Sequence, residues 1–231
     1  MGKVTLITVE GLTVAFEGRT VFKDLDFTVN QGEYLCIVGE NGSGKTTLMR
    51  CLIGADIRYS GKIEYHGFSR KDIGWLPQRS ENKRDFPASV YEVVMSGFAG
   101  KAFLGFRYTA QNRKKAQECM EMLEIMPLKN RAFKELSGGQ QQRVLLCRAL
   151  CAAEKVILLD EPVNGLDSFA RDEFYGLVRE LHKNGMTVIM ISHDTERAVA
   201  DADKVLCIYD NRYFFGRPEE VNSELGGVRN E

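Results

Sequence analysis

The chain has 231 residues, 44% of them hydrophobic and 27% charged, with a formal net charge of -1. That length and apolar fraction suffice for a globular domain with a sizeable core. The balanced charge lacks the strongly basic footprint of a nucleic-acid-binding domain, so no nucleic-acid partner is expected. Apolar runs all fall well short of the roughly 20 residues that span a bilayer. Residues 1–10 alternate apolar with polar instead of forming a secretory apolar block, so a cytoplasmic location is expected.

In chain order, residues 1 to about 35 read as short strands. Asp26-Phe27-Thr28-Val29 alternates, and Glu17-Gly18-Arg19 and Asn30-Gln31-Gly32 supply turn chemistry. Leu35-Cys36-Ile37-Val38 is a compact apolar run, as in a strand buried on both faces. Thr46 to Ile53 predicts a helix that stops at Gly54. The segment from about Arg79 to Lys134 differs in character. It holds no strong strand, and Gln111 to Leu123 predicts a helix with Ala116, Met120 and Leu123 on one face. A further helix is predicted from Gln140 to Ala153. Val156 to Leu159 and Val188 to Ile191 are two more buried-strand runs. The reading is an α/β fold with a helical subdomain inserted into the α/β core and a short polar tail from Gly216.

The six cysteines, Cys36, Cys51, Cys119, Cys147, Cys151 and Cys207, form no CxxC pair. Cys147 and Cys151 are spaced to share a helix face, which permits a metal reading. Their Leu, Val and Ile neighbours point instead to small buried hydrophobes in a reduced protein.

Three predicted strands each end in residues suited to phosphate or metal. Gly39-Glu40-Asn41-Gly42-Ser43-Gly44-Lys45-Thr46 follows the first in the pattern GxxxxGK[ST]. Its glycines allow backbone N–H groups to curl around phosphates, and the helix that follows adds partial positive charge. In such a loop Lys45 reaches the β- and γ-phosphates and the Thr46 hydroxyl ligates Mg²⁺. Asp160-Glu161 closes the second strand. One carboxylate there can hold Mg²⁺ and the other can orient an attacking water. Ser192-His193-Asp194 closes the third. In open parallel sheets, ligands gather beyond the carboxyl ends of strands. Leu136-Ser137-Gly138-Gly139-Gln140 precedes the 140–153 helix, so a hydroxyl, backbone N–H groups and a helix N-terminus can face one anion. In another protein the same residues would be a serine cap and a Gly-Gly turn.

The phosphate loop, then Leu136–Gln140, then a strand ending in Asp160-Glu161, resembles the ATPase subunit of an ATP-binding-cassette (ABC) transporter over nearly the whole chain. The resemblance implies a P-loop NTPase core with a parallel sheet (residues 1–78 and 135–231), an N-terminal antiparallel β subdomain and an inserted helical subdomain (79–134). It implies ATP and Mg²⁺ as ligands. ATP would sit on Gly39–Thr46 and the adjoining Thr47 of one copy, and under Leu136–Gln140 of a second copy in a head-to-tail dimer formed on ATP binding. Glu161 would activate water, His193 would contact the γ-phosphate, and Asp167 would act across the dimer interface. Gln78 would sense Mg²⁺ and water, joining Thr46 and Asp160 as its ligands. Phe16 lies where the family stacks an aromatic, more often Tyr, on adenine; Phe22 competes for that role.

Cargo signals lie in the insert, where the family meets its membrane partner. Pro77-Gln78-Arg79-Ser80, Asp85 to Val94, Ser96-Gly97 and the tail Gly216-Arg217-Pro218-Glu219-Glu220-Val221 are similar to zinc and manganese importer ATPases. The resemblance therefore implies a peripheral protein on the cytoplasmic face of the membrane, working with permease subunits and indirectly with a substrate-binding protein. Iron-chelate and cobalamin importers share part of this pattern. An iron–sulfur assembly ATPase and an efflux ATPase are the rival readings. Phe86, Pro87, Val90 and Met95 are candidates for an apolar groove that receives a permease helix, or for packing inside the insert.

Overall fold

A computed structural model describes residues 4–78, 87–101, 108–193, 195–209 and 212–221. Arg79, Ser80, Asp85, Phe86 and Asp194 lie outside the described residues. The packing divides the chain into two compact units, 1–70 with 181–231, and 71–180.

The first unit begins with β1 (Thr5–Phe16) and β2 (Arg19–Asn30), an antiparallel pair joined by the turn at Glu17-Gly18. These are 12-residue strands, not the short ones expected. Register shifts between Val9 and Val14 let one strand run on through Gly11. β4 (Ser60–Tyr65) covers the other edge of β1. Ile7, Val9, Leu12, Val14, Leu25, Phe27 and Val29 are buried along the β1–β2 pair.

The same unit holds β3 (Tyr34–Gly39), β7 (Thr187–Ile191), β8 (Lys204–Tyr209) and β9 (Arg212–Gly216). β3 runs parallel to β7 on one side and to β8 on the other, and β9 closes the edge antiparallel to β8. Every residue of β7 is buried, as is β3 from Tyr34 to Val38. This burial on both faces explains apolar runs without alternation. α1 (Lys45–Leu52) follows the phosphate loop and ends before Gly54, whose φ of +69° suits only glycine well. α6 (Thr195–Ala200) packs on β3.

In the second unit, β5 (Ile73–Leu76) and β6 (Val156–Asp160) pair in parallel. Four fully buried aliphatic side chains on β6, each stabilising by about 2 kcal/mol, anchor the strand. α2 (Val90–Met95), α3 (Ala110–Met122) and α4 (Gly138–Ala152) pack together. Ser89 and Thr109 cap α2 and α3 through reciprocal side-chain and backbone bonds with the third helical residue. Ala116, Met120 and Leu123 are fully buried, as the helical spacing predicts. α5 (Ser168–Lys183) leaves this unit in its last turn.

Of the two alternatives offered for Val90 and Met95, packing inside the insert is the one found, since they are 0% and 2% exposed; Pro87 is exposed. One helix boundary needs correction. The 140–153 helix starts earlier, at Gly138, because the Ser137 cap draws both glycines into the first turn.

All six cysteines are free and buried. Cys119 of α3 lies close to Cys147 and Cys151 of α4. Burial pushes the Cys36 thiol up to about 12 and the Cys51 thiol up to about 11. Among the described residues, no group of three or more His, Cys, Asp or Glu is arranged to hold a metal. None of the described helices is long and apolar enough to cross a membrane.

Candidate functional site

The phosphate loop is built by a buried strand, glycines in left-handed conformations and an uncapped helix. Gly39, Gly42 and Gly44 have φ of +152°, +82° and +95°. A Cβ on Gly39 would strike the Ile208 carbonyl oxygen and lie 2.9 Å from Ser43 Oγ; one on Gly44 would strike Val21. Neither position has room for a side chain, so the turn requires glycine at both. Gly44 caps α1 with no side-chain bond, which leaves the helix N-terminus to the loop. Ser43 Oγ is buried with no hydrogen-bond partner, as suits a hydroxyl waiting for a phosphate oxygen. Lys45, 5% exposed, folds back and donates from Nζ to the Gly39 and Glu40 carbonyls at 2.8 and 2.7 Å. Both bonds sit where a bound anion would compete for the ammonium. Beside the loop, an open cavity of about 430 Å³ is lined by Glu40 to Ser43 together with Arg19, Thr20, Val21 and Tyr209. Thr46 and Thr47 are half-buried in the first turn of α1.

The sheet of the first unit brings His193 to the same edge. β3 and β7 run parallel in register Ile37 to Ile191, and Ser192 N–H donates to the Ile37 carbonyl at 3.4 Å. The phosphate loop and the exposed His193 therefore leave the sheet side by side. Phe16 and Phe22 differ sharply. Phe22 is 2% exposed and lies under Gly44, whereas Phe16, 49% exposed, stands at the open end of β1. Of the two, Phe16 has the exposed ring.

In the second unit, β5 and β6 repeat the device. Leu76 pairs with Leu159, so Gln78 and Asp160-Glu161 emerge together. Asp160 is 1% exposed at the strand end. Gln78 Nε2 donates to Glu161 Oε2 at 2.7 Å. Glu161 has a φ of +47°. Gln78 and Asp160 in this unit each carry a side-chain oxygen, as does Thr46 in the first unit, and oxygen is the donor type that hard Mg²⁺ prefers.

The Leu136–Gln140 run also lies in the second unit. Ser137 Oγ accepts from Gln140 N–H at 3.3 Å, and Gln140 Oε1 accepts from Ser137 N–H at 3.1 Å. Ser137, Gly138, Gly139 and Gln140 line an open cavity of about 520 Å³ with Gly165, Leu166, Asp167 and Phe169. Leu136 does not join them; it is 6% exposed and anchors the run in the interior. Asp167 Oδ1 accepts from Ala170 N–H at 2.9 Å and so caps α5. Arg143, one turn along α4, pairs with Glu124 at 3.1 Å and Glu173 at 3.0 Å, tying the start of α4 to α5. Sequence reasoning missed Arg143 and Asn164. The string Glu-Pro-Val-Asn-Gly carried the turn signal for Asn164.

Comparisons with known proteins place the chain in a family. The family profile described as ABC transporter matches residues 22–164. A zinc import ATP-binding protein, ZnuC of Ehrlichia chaffeensis, is 36% identical over 218 residues, 94% of this chain and 85% of its own. The manganese transport system ATP-binding protein MntB of Bacillus subtilis is 34% identical over 219 residues, 93% of this chain and 88% of its own. Among solved structures, cbiO1 of Clostridium perfringens, part of the ABC transporter complex cbiONQ, superposes with a TM-score of 0.82 at 29% identity, covering 99% of this chain and 94% of that one.

Proposed function

The chain belongs to the ABC transporter family, and from that premise we propose that it is the ATP-binding subunit of a divalent-metal importer whose cargo is zinc or manganese. The observation that carries the cargo is the likeness, over more than nine-tenths of the chain, to zinc and manganese transport ATPases. Transport itself belongs to separate permease subunits, which this protein drives from the cytoplasmic face, with a substrate-binding protein delivering the metal to the permease.

The residues divide the work of phosphoryl transfer to water. The N–H groups of Gly39 to Thr47 and the Lys45 ammonium hold the phosphates, and the exposed ring of Phe16 stacks on the base. Thr46, Gln78 and Asp160 would hold Mg²⁺, which when bound neutralises charge on the transferring group. Glu161 orients and deprotonates the attacking water, and His193 steadies the γ-phosphate. Ser137, Gly138 and Gly139 face the γ-phosphate of nucleotide held by a second copy, and Asp167 lies at that interface. Because Ser137 and Glu161 serve different copies' nucleotides, ATP binding closes a head-to-tail dimer and hydrolysis reopens it.

Elemental analysis of cells with and without the protein, grown on scarce metal, tests the cargo. A selective fall in zinc or manganese supports the reading. Unchanged levels of both metals, with another metal reduced, overturn it.

A further inference from the structure

The turn after β6 places an unassigned side chain on the proposed catalytic carboxylate. Glu161, Pro162, Val163 and Asn164 form a four-residue turn closed by Asn164 N–H donating to the Glu161 carbonyl at 3.2 Å. Pro162 occupies its second position, where a fixed φ suits the turn. Glu161 has a left-handed φ of +47° although it carries a side chain and precedes proline. Such strain persists only where surrounding structure enforces it, and it clusters at functional sites.

The closing turn brings the Asn164 amide back over the Glu161 side chain. Asn164 Nδ2 donates to Oε2 at 3.3 Å, and Gln78 Nε2 donates to the same oxygen at 2.7 Å. An ionised carboxylate only accepts, so both amides must present NH₂ groups to it. Two donors arriving at one oxygen, from separate segments, fix the rotation of the carboxylate about its last bond. We propose that Asn164 is a positioning residue for water activation, holding the plane of the Glu161 carboxylate through its side-chain amide. Gln78 is assigned to Mg²⁺ in the loaded site. Asn164, tied to Glu161 through the same turn, remains as the donor when Gln78 is engaged there. This inference rests on the reading of Glu161 as the catalytic carboxylate.

Asparagine and aspartate serve turns of this kind equally well, so a merely structural Asn164 tolerates Asn164→Asp better than Asn164→Ala. A positioning amide reverses that order, because aspartate removes the donor and sets a like charge against Glu161. ATPase kcat, ATP affinity and melting temperature are measured for both variants and for Glu161→Gln, in the assembled transporter. The expected result is a kcat lower by about tenfold for Asn164→Ala and about 10²-fold for Asn164→Asp, with ATP affinity and melting temperature unchanged. Wild-type kcat in Asn164→Asp, or a loss that follows ATP affinity instead of kcat, overturns the proposal. Turnover surviving in Glu161→Gln overturns the reading of Glu161 itself. An inactive Glu161→Gln beside a normal Asn164→Asp defeats the Asn164 proposal alone.

Discussion

Ser137 has one role visible in the structure and another proposed for the assembled dimer, and two substitutions separate them. In the isolated chain its hydroxyl caps α4 by accepting from Gln140 N–H at 3.3 Å, on an exposed surface. Replacing a capping Ser with Ala costs about 0.5–2 kcal/mol, and this long, exposed bond belongs in the lower half, near 1 kcal/mol. For a chain of this size, that loss lowers the melting temperature by roughly 2–4 °C and leaves the protein folded at 25 °C. Loss of a donor to transition-state charge costs a further factor of about 10² in turnover. Ser137→Asp keeps a cap as good as serine, so its melting temperature stays at the wild-type value. It also sets a carboxylate against a triphosphate, so its turnover is abolished. Thermal denaturation followed by circular dichroism, with phosphate release from the reconstituted transporter, reads both quantities. If Ser137→Asp hydrolyses ATP at the wild-type rate, the hydroxyl does not face the nucleotide and the head-to-tail arrangement built on it fails.

Gly39→Ala drives a methyl group into the Ile208 carbonyl in a conformation that disfavours side chains; a loss of about 1–3 kcal/mol is expected, and the melting-temperature rise given by Mg-ATP should vanish. A variant stabilised by Mg-ATP to the wild-type extent would contradict this account of the loop. Cys36 and Cys51 ionise near their ordinary 9.0 in the unfolded chain but only near about 12 and about 11 in the folded one. Their contribution to stability is thus intact below pH 9 and is lost progressively as pH rises from 9 through about 11 and about 12, because the unfolded state binds fewer protons over that range. Denaturation midpoints across pH 8 to 11 check the sign. Thiol labelling at neutral pH should be slow in the folded protein and complete for all six cysteines once it is unfolded.

The parts legible in the sequence were those where local chemistry and burial agree. The phosphate loop announces itself because strand, glycines and helix each need a distinct residue type within a few positions. β6 and β7 were legible because strands buried on both faces are apolar throughout. β5 was not, since it has four residues and its Gly74 is depleted in strands generally. The glycine is there because a Cβ would strike the Ala149 carbonyl of α4, a tertiary demand invisible locally. β4 stayed hidden because its residues are exposed or half-buried and show no alternation. The Gly-Gly pair after Ser137 misled for a different reason: glycine propensity argued for a turn, and the reciprocal Ser137–Gln140 cap outweighed it. At the site, individual residue types were readable, but the joint grip of Gln78 and Asn164 on Glu161 needed the fold.

The order of strands around β3 also sets a schedule for biosynthesis. β3 is complete at Gly39, yet its neighbours β7 and β8 span Thr187–Ile191 and Lys204–Tyr209. While the intervening chain is translated, at about 5–20 residues per second, both hydrogen-bonding edges of this apolar strand stay open for several seconds or more. The nascent phosphate loop therefore has no finished sheet to spring from until the last strands leave the ribosome. Incomplete chains should be unable to bind nucleotide and prone to cohere through β3, which makes nucleotide binding a late checkpoint of correct synthesis.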